Sequence, residues 1–525
     1  MSEPRMYLAG LSGSGKTTAA ELVARWLGWT WADVDREVER EAGRSIAEIW
    51  ASEGEAGFRA RERTAVERLT AADGPRILAL GGGTLEEPAT RERLSRWGTG
   101  IHLDGPAGTL AERAADRPGE RPLLEGGEPV AVLEALAVRR AATFAALPNR
   151  VETDGRSIEA VATGVLRRIG SDEPRRVAPD IWLARGLLAE AGQLLGDRLP
   201  DTPRGSVVVT TDDAVWALHG KALSTGLEAG GWIAEPCPLV PGEAAKSTAG
   251  LERIWRALRD LDADRDTPTL VLGGGAAGDV GGMAAATFKR GVPLALFPTT
   301  LLAQVDAAIG GKNAIDLDGL KNVVGSFHPP VLVGVDPLCL LTLPEREWRS
   351  GWAEVVKAGL IGDPVLLALC EREADALLAR RLDVLEEAVE RAIRVKVAVV
   401  EEDPREGDRR RVLNLGHTLG HAIEAAGEGR WTHGEAIAMG LVAEARMGER
   451  IGITEAGVAD RIERALVGLG LPTGPDVDLD AAELLDALRH DKKRTGGKLH
   501  VPLPVRAGKI RIAVLDETDL RAAIS

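Results

Sequence analysis

Cysteine is scarce in this sequence. Cys237, Cys339 and Cys370 are all that 525 residues hold, and they show no paired or CxxC spacing. That excludes a disulfide framework and a cysteine-built zinc site. Long apolar runs are missing too, and no stretch approaches the ~18 residues of a membrane span. Positive charge is in deficit: the net charge is −15 and the pI about 5.3. Such a chain is not built to hold nucleic acid or an anionic membrane, and an anionic ligand would need a local cationic pocket. There are no tandem repeats and no low-complexity tract. A phosphate-loop motif begins close to Met1, so the expectation is no signal peptide and a cytoplasmic protein. What is present is globular in kind, 44% hydrophobic and 28% charged, with length for about three domains.

The segment MYLAGLSGSGKTTAAELVARWLG reads strand, glycine loop, helix. Gly10, Gly15, Lys16 and Thr17 match G-x4-G-K-[ST] in the context that motif needs. Backbone N–H groups from Leu11 to Thr17 would wrap a β-phosphate, Lys16 would reach the β- and γ-phosphates, and Thr17 would ligate Mg2+. Asp33 and Asp35 are expected on one side of a strand end, one serving Mg2+ through water and the other a polyol. Arg59 follows on a helix, and a second strand runs into Gly81-Gly82-Gly83, where backbone can approach a ligand closely. Residues 113–127 are rich in Arg, Pro and Gly and read as a lid carrying Arg121. Arg140 lies on a further helix.

These motifs, in this order, resemble shikimate kinase over residues 1–170. The resemblance implies a P-loop fold, a parallel sheet with helices on both faces. It implies ATP contacts at Gly10, Ser12, Gly13, Ser14, Gly15, Lys16, Thr17, Thr18, Arg121 and Arg156. Mg2+ would sit on Thr17 and, through water, on Asp33. Shikimate would be held by Asp35, Arg59, Gly82, Gly83 and Arg140, with Asp35 accepting the hydroxyl proton and Arg121 stabilising the transferred phosphoryl. One departure stands out: the family shows R-x-P-L-Y where this chain has Arg140-Ala-Ala-Thr-Phe144.

Residues 171–178, charged and proline-containing, read as a linker. Beyond them TPTLVLGGGAAGDVGG satisfies G-x-G-x-x-G after a strand, but lacks the usual acid ~20 residues on. It is a dinucleotide site of unusual kind or a glycine turn that merely packs tightly. Asp306, Lys312, Lys321 and Asn322 then stand among apolar residues and glycines, which suits an anionic, phosphorylated substrate. Glu354 and Lys357 are spaced i, i+3 on one helix face. Lys396, Arg410 and Asn414 lead into NLGHTLGHAIEAAGEGRWTHGE, which holds His417, His421 and His433 of the eight histidines in the chain. His417 and His421, four apart, share a helix face. Imidazoles converging with a carboxylate suit zinc. Lys492 follows near the end.

PGE..K, GGG..GD, PTTLLAQVD, GGK, KN, G.AEV.K, NLGHT.GHAIE, HGEA and DKK, in order, resemble 3-dehydroquinate synthase over nearly all of residues 176–525. The resemblance implies a Rossmann-like α/β NAD domain (179–341) followed by a mostly α-helical metal-binding domain (342–525). Zinc, or cobalt in its place, would be held by Glu354, His417 and His433. NAD would contact Asp212, Glu243, Lys246, Gly274, Gly275, Asp279, Thr299, Thr300, Asp306, Lys312 and Lys321. The substrate and catalytic set would be Arg290, Asp306, Lys312, Lys321, Asn322, Lys357, Lys396, Arg410, Asn414, His421 and Lys492. The two resemblances together imply an enzyme that phosphorylates shikimate with ATP and converts DAHP to 3-dehydroquinate, acting as a homodimer on small molecules. The alternative is a related sugar-phosphate cyclase or polyol dehydrogenase fused to a non-catalytic nucleotide-binding module.

Overall fold

The apolar runs in front of the glycine loops become strands of two separate, largely parallel sheets. The computed structural model describes residues 5–71, 74–115, 128–170, 172–427, 429–475, 494–495 and 498–515. They fall into two units, Met1–Gly170 and Ser171–Ser525.

In the first unit β1 (Met6–Ala9), β2 (Trp31–Asp33), β3 (Ile77–Ala79), β4 (Thr99–Asp104) and β5 (Asn149–Glu152) form a parallel sheet in the order β2-β3-β1-β4-β5. All four residues of β1 are buried, as expected of a strand covered on both faces. The chain order reverses beside β1, which opens a crevice at the carboxyl ends of the strands. The loop Gly10–Gly15, the end of β2 and Gly81–Gly83 all emerge there.

The second unit has β6 (Arg175–Ala178), β7 (Ile181–Leu183), β8 (Ser206–Thr211), β9 (Ile233–Pro238), β10 (Thr269–Gly273), β11 (Leu294–Pro298), β12 (Lys312–Leu317), β13 (Leu320–Phe327) and β14 (Leu332–Val335). Its main sheet runs β6-β7-β14-β11-β10-β8-β9, with β6 antiparallel to β7. This corrects the linker expectation: residues 175–178 form a strand, pairing Arg175 with Leu183 and Ala178 with Ile181. Its charged composition, which looked like linker, suits an exposed sheet edge. β12 and β13 form a separate antiparallel hairpin.

After β14 and the turn Pro337–Thr342 the chain becomes helical. Helix Glu345–Ile361 is buried on every face from Ser350 onward, and Trp348 meets Trp352 edge-on at 5.3 Å. Small residues let helices His417–Ala426 and His433–Arg450 touch. A Cβ on Gly440 would collide with the Gly416 carbonyl, and one on Gly420 would lie 3.0 Å from the Ala436 carbonyl. β15 (Arg494–Thr495), β16 (Lys498–Arg506) and β17 (Lys509–Leu515) add an antiparallel sheet. Among the described residues no helix is long and apolar enough to cross a membrane.

Candidate active sites

The first site is built on the loop after β1. Gly13 has φ +81, and a Cβ there would collide with the Leu110 backbone, so only glycine fits. Lys16 opens helix Lys16–Leu27 and folds back over the loop, donating to the carbonyls of Gly10 (3.0 Å) and Leu11 (2.9 Å). Ser12 and Ser14 belong to that loop, and Thr18 is exposed on the first helical turn. Thr17 donates to Asp33 Oδ2 at 2.5 Å. Asp33 Oδ1 accepts from the amides of Asp35 (3.0 Å) and Arg36 (3.2 Å). Asp33 therefore caps a helix that starts at Val34. Asp35 lies in its first turn and not on the strand, which corrects the strand-end reading. Asp35 still converges on the site. Burial, with the carboxylates of Asp33 and Glu62, pushes it up to about 7. A Cβ on Gly81 would lie 2.5 Å from Asp35 Oδ1 and 2.6 Å from Glu62 Oε1.

Two arginines border the same glycines. Arg59 pairs with Glu62 at 2.6 Å, and a Cβ on Gly83 would run into its guanidinium. Arg140, only 3% exposed, pairs with Glu86 at 2.5 Å, and its Nη1 faces Gly82. Arg156 lies in the turn before helix Ile158–Ile169. Arg121 lies outside the described residues.

In the second unit the carboxyl ends of β11, β10, β8 and β9 form a cradle. Gly274 caps helix Gly275–Thr287, and a Cβ on it would sit 3.0 Å from Thr300 Cγ2. That close approach, at a helix start without a side-chain cap, suits a pyrophosphate. Thr299 N donates to the Gly273 carbonyl at 2.9 Å, and Thr300 Oγ1 accepts from Ala303 N at 3.1 Å. Asp212 caps the helix after β8, accepting from Val215 N at 2.9 Å. Lys246 is nearly buried between Asp279 (3.0 Å), Glu243 (3.2 Å) and Asp316 (3.9 Å), and also donates to Asn322. Burial pushes Asp279 up to about 6 although Lys246 pulls it down.

The buried Glu354 carboxylate is the centre of the next group. His417 Nε2 lies 3.5 Å and His433 Nε2 3.7 Å from its Oε1. These donor atoms lie within 4.8 Å of one another, which suffices to hold a metal ion. His417 Nδ1 is 3.1 Å from the Leu415 carbonyl and His433 Nδ1 is 3.3 Å from Glu424. Those outer bonds leave both Nε2 atoms aimed at Glu354. Neither Glu354 oxygen accepts an aligned hydrogen bond, although Lys357 ion-pairs with it. Burial would raise Glu354, but Lys357 and His433 bring it down to about 2. Burial would lower His433, but Glu354 and Glu424 raise it to about 9. The environment thus favours a positive charge between these carboxylates, as a divalent cation requires. The ring of His421 is 5.2 Å from that of His417 and 5.8 Å from that of His433.

The cationic residues link the two groups. Asp306 pairs with Lys396 and, at 3.7 Å, with Lys357. Lys321 pairs with Glu424 at 2.7 Å, and its neighbour Asn322 meets Lys246. Lys312 pairs with Glu406, which also takes Asn414 Nδ2 at 3.3 Å. The hairpin β12–β13 therefore ties the glycine cradle to the histidines. Arg410 is fully buried and donates to the carbonyls of Pro404 (2.7 Å) and Gly310 (3.2 Å), so it supports the loop before Lys312. Arg290 stands apart: it is exposed, at φ 69, and no hydrogen bond or ion pair joins it to the group among the described residues. Lys492 lies outside them.

Residues 12–170 match the family model described as shikimate kinase. Residues 237–350 and 351–494 match the N-terminal and C-terminal models of 3-dehydroquinate synthase. A 3-dehydroquinate synthase of Symbiobacterium thermophilum is 43% identical over 331 residues, 63% of this chain and 92% of the relative. The chain belongs to the 3-dehydroquinate synthase family. It carries a shikimate kinase domain in front of the synthase, and both parts are enzymes. The synthase portion also resembles ValA, a 2-epi-5-epi-valiolone synthase from Streptomyces hygroscopicus subsp. jinggangensis 5008 solved with NAD+ and Zn2+. The TM-score is 0.61 at 26% identity, over 67% of this chain and 97% of that one. A 2-deoxy-scyllo-inosose synthase solved with carbaglucose-6-phosphate, NAD+ and Co2+ gives 0.59 at 25% identity, over 67% and 99%.

Several partners in the synthase and kinase sites were not legible in the sequence. Glu424 was the nearest to hand, one helical turn after His421. Glu62, three residues after Arg59 on one helix, carried an i, i+3 signal too, whereas Glu406 gave none, because the fold brings Lys312 to it. Glu444, fully buried, accepts from the amides of Gly416 (2.6 Å), Thr418 (2.9 Å) and Leu419 (3.1 Å), and so fixes the helix that begins at His417.

Proposed function

We propose that the chain is bifunctional: it transfers phosphoryl from ATP to shikimate, and it converts DAHP to 3-dehydroquinate with release of phosphate. Support for the second activity comes chiefly from one observation. The glycine cradle, the Glu354–His417–His433 group and the lysines of the hairpin are joined through Asn322–Lys246 and Lys321–Glu424 contacts. A phosphorylated hydroxy acid lying along that line would meet a dinucleotide, a metal and cations at once.

In the kinase, Lys16 would exchange the carbonyls of Gly10 and Leu11 for phosphate oxygens. Thr17 and Asp33 would hold Mg2+. Arg59 and Arg140 would take the shikimate carboxylate, and Asp35, raised to about 7, would accept the hydroxyl proton near neutrality. In the synthase we take 179–341 as the NAD-binding domain and 342–525 as the metal-binding domain. Glu354, His417 and His433 would hold zinc or cobalt, with the proton on His433 displaced. Asp212, Glu243, Lys246, Asp279 and the glycines would hold NAD. When bound, the metal acidifies a substrate hydroxyl and NAD takes and returns a hydride. Lys312, Asn322 and Lys357 would position phosphate and carboxylate, His421 would relay protons, and Arg410 would keep the Gly310 loop in place. A homodimer through this unit is supported by the hairpin, which exposes Leu317, Leu320, Val323, Val324 and Phe327.

The test is phosphate release from DAHP by the purified chain, with and without NAD and after chelation. Release that needs both NAD and metal, with no net NADH, is expected. No release from folded, metal-loaded protein would sink the DAHP assignment. A second reading, another sugar-phosphate cyclase, draws on the likeness to the two synthases above. Release of phosphate from a different sugar phosphate in preference to DAHP would favour it. Shikimate-dependent ADP formation tests the first unit, and its absence would favour a non-catalytic nucleotide module.

A further inference from the structure

We propose that Glu86 is a positioning residue of the kinase site, holding the Arg140 guanidinium so that its remaining end faces the acceptor's carboxylate. This rests on the kinase reading above. Arg140 belongs to the segment that departs from the family pattern. Phe144, at the place of the usual tyrosine, stacks on His102 at 4.3 Å and 14° and brings no hydroxyl to the region. The polar hold on Arg140 comes from elsewhere. Arg140 Nε donates to Glu86 Oε1 at 2.6 Å, and Nη2 lies 2.5 Å from the same oxygen as an ion pair without an aligned hydrogen bond, so one edge of the guanidinium faces Glu86. The other end, Nη1, points to Gly82, where a Cβ would be only 3.5 Å away.

Glu86 closes the 3-10 turn Thr84–Glu86, which follows Gly81–Gly83 directly. The same turn holds the second arginine, since Thr84 donates to Glu62 at 2.5 Å and Glu62 pairs with Arg59. One short turn thus carries the glycine floor and aims both cationic side chains at it. A carboxylate beside an anion site would by itself repel the ligand. Arg139, 2.8 Å from Glu86, offsets that charge. A planar guanidinium gains from being fixed, because binding then loses little side-chain freedom.

The experiment uses the full chain and follows ADP formation against shikimate at saturating MgATP, for wild type, Glu86→Ala and Glu86→Gln. Glu86→Ala should raise the KM for shikimate roughly tenfold, the scale of one charge-assisted hydrogen bond. Its kcat should stay within about twofold and its KM for ATP should not move. Glu86→Gln should fall between, because its amide oxygen still accepts. An unchanged or lower KM for shikimate would overturn the proposal and make Glu86 a bystander or a competitor for Arg140. Loss in kcat alone, or an equal rise in the KM for ATP, would also overturn it. If Glu86→Ala does not fold, the sign of the KM change in Glu86→Gln decides. A wild type without shikimate-dependent ADP formation would remove the kinase reading, and this proposal with it.

Discussion

Asp279 sits under Lys246 in the glycine cradle, yet burial outweighs that lysine and lifts its carboxyl to about 6. An unfolded Asp titrates near ~4. The folded chain therefore binds this proton more tightly, and raising the pH from ~4 through 6 costs stability. Asp279→Asn removes that cost. Its thermal midpoint should exceed the wild type's at pH 7.5, and the difference should vanish near pH 4. Equal differences at both pH values would mean the carboxyl is not raised. Glu354 is the opposite case, a buried carboxylate brought down to about 2. Glu354→Gln keeps the shape and removes the charge. We expect bound metal, measured by atomic absorption after dialysis, to fall well below one per chain, with phosphate release reduced at least ~100-fold.

Helix His417–Ala426 starts at a glycine in the left-handed region, Gly416 with φ 79, and no side chain of its own caps it. Glu444 from the neighbouring helix accepts these buried amides instead. Glu444→Ala would leave those donors buried without their acceptor. A loss on the order of 3 kcal/mol is expected, read as a lower urea midpoint, together with weaker metal retention because His417 opens that helix. An unchanged midpoint would show that the amides find another acceptor. The strand β6 carries a related lesson. Its Arg175 and Arg176 look like linker residues one by one, and only pairing with β7 makes them a strand.

At the scale of the molecule the chain divides at Gly170 and Ser171 into two units, each with its own sheet. Residues 1–170 expressed alone should unfold cooperatively and, if the kinase reading holds, form ADP with shikimate at a rate close to that of the full chain. Residues 171–525 should keep phosphate release. A half that fails to fold alone would mean its core depends on the other. The glycine loops, the paired histidines and the apolar strands in front of the loops were legible in the sequence, whereas Asp35 was expected on a strand end and lies on a helix. Each legible feature depends on local spacing, on backbone that only glycine allows, or on strands buried on both faces. For groups far apart in the chain, the tertiary structure alone decided which carboxylate meets which cation, whereas Glu354–Lys357 and Arg59–Glu62 follow from i, i+3 spacing. Glu406 reaches Lys312 and Glu424 reaches Lys321 across about a hundred residues of chain, and Glu86 reaches Arg140 across 54. Such pairings carry no periodic trace, because they are fixed by how strands and helices stack and not by the residues beside them.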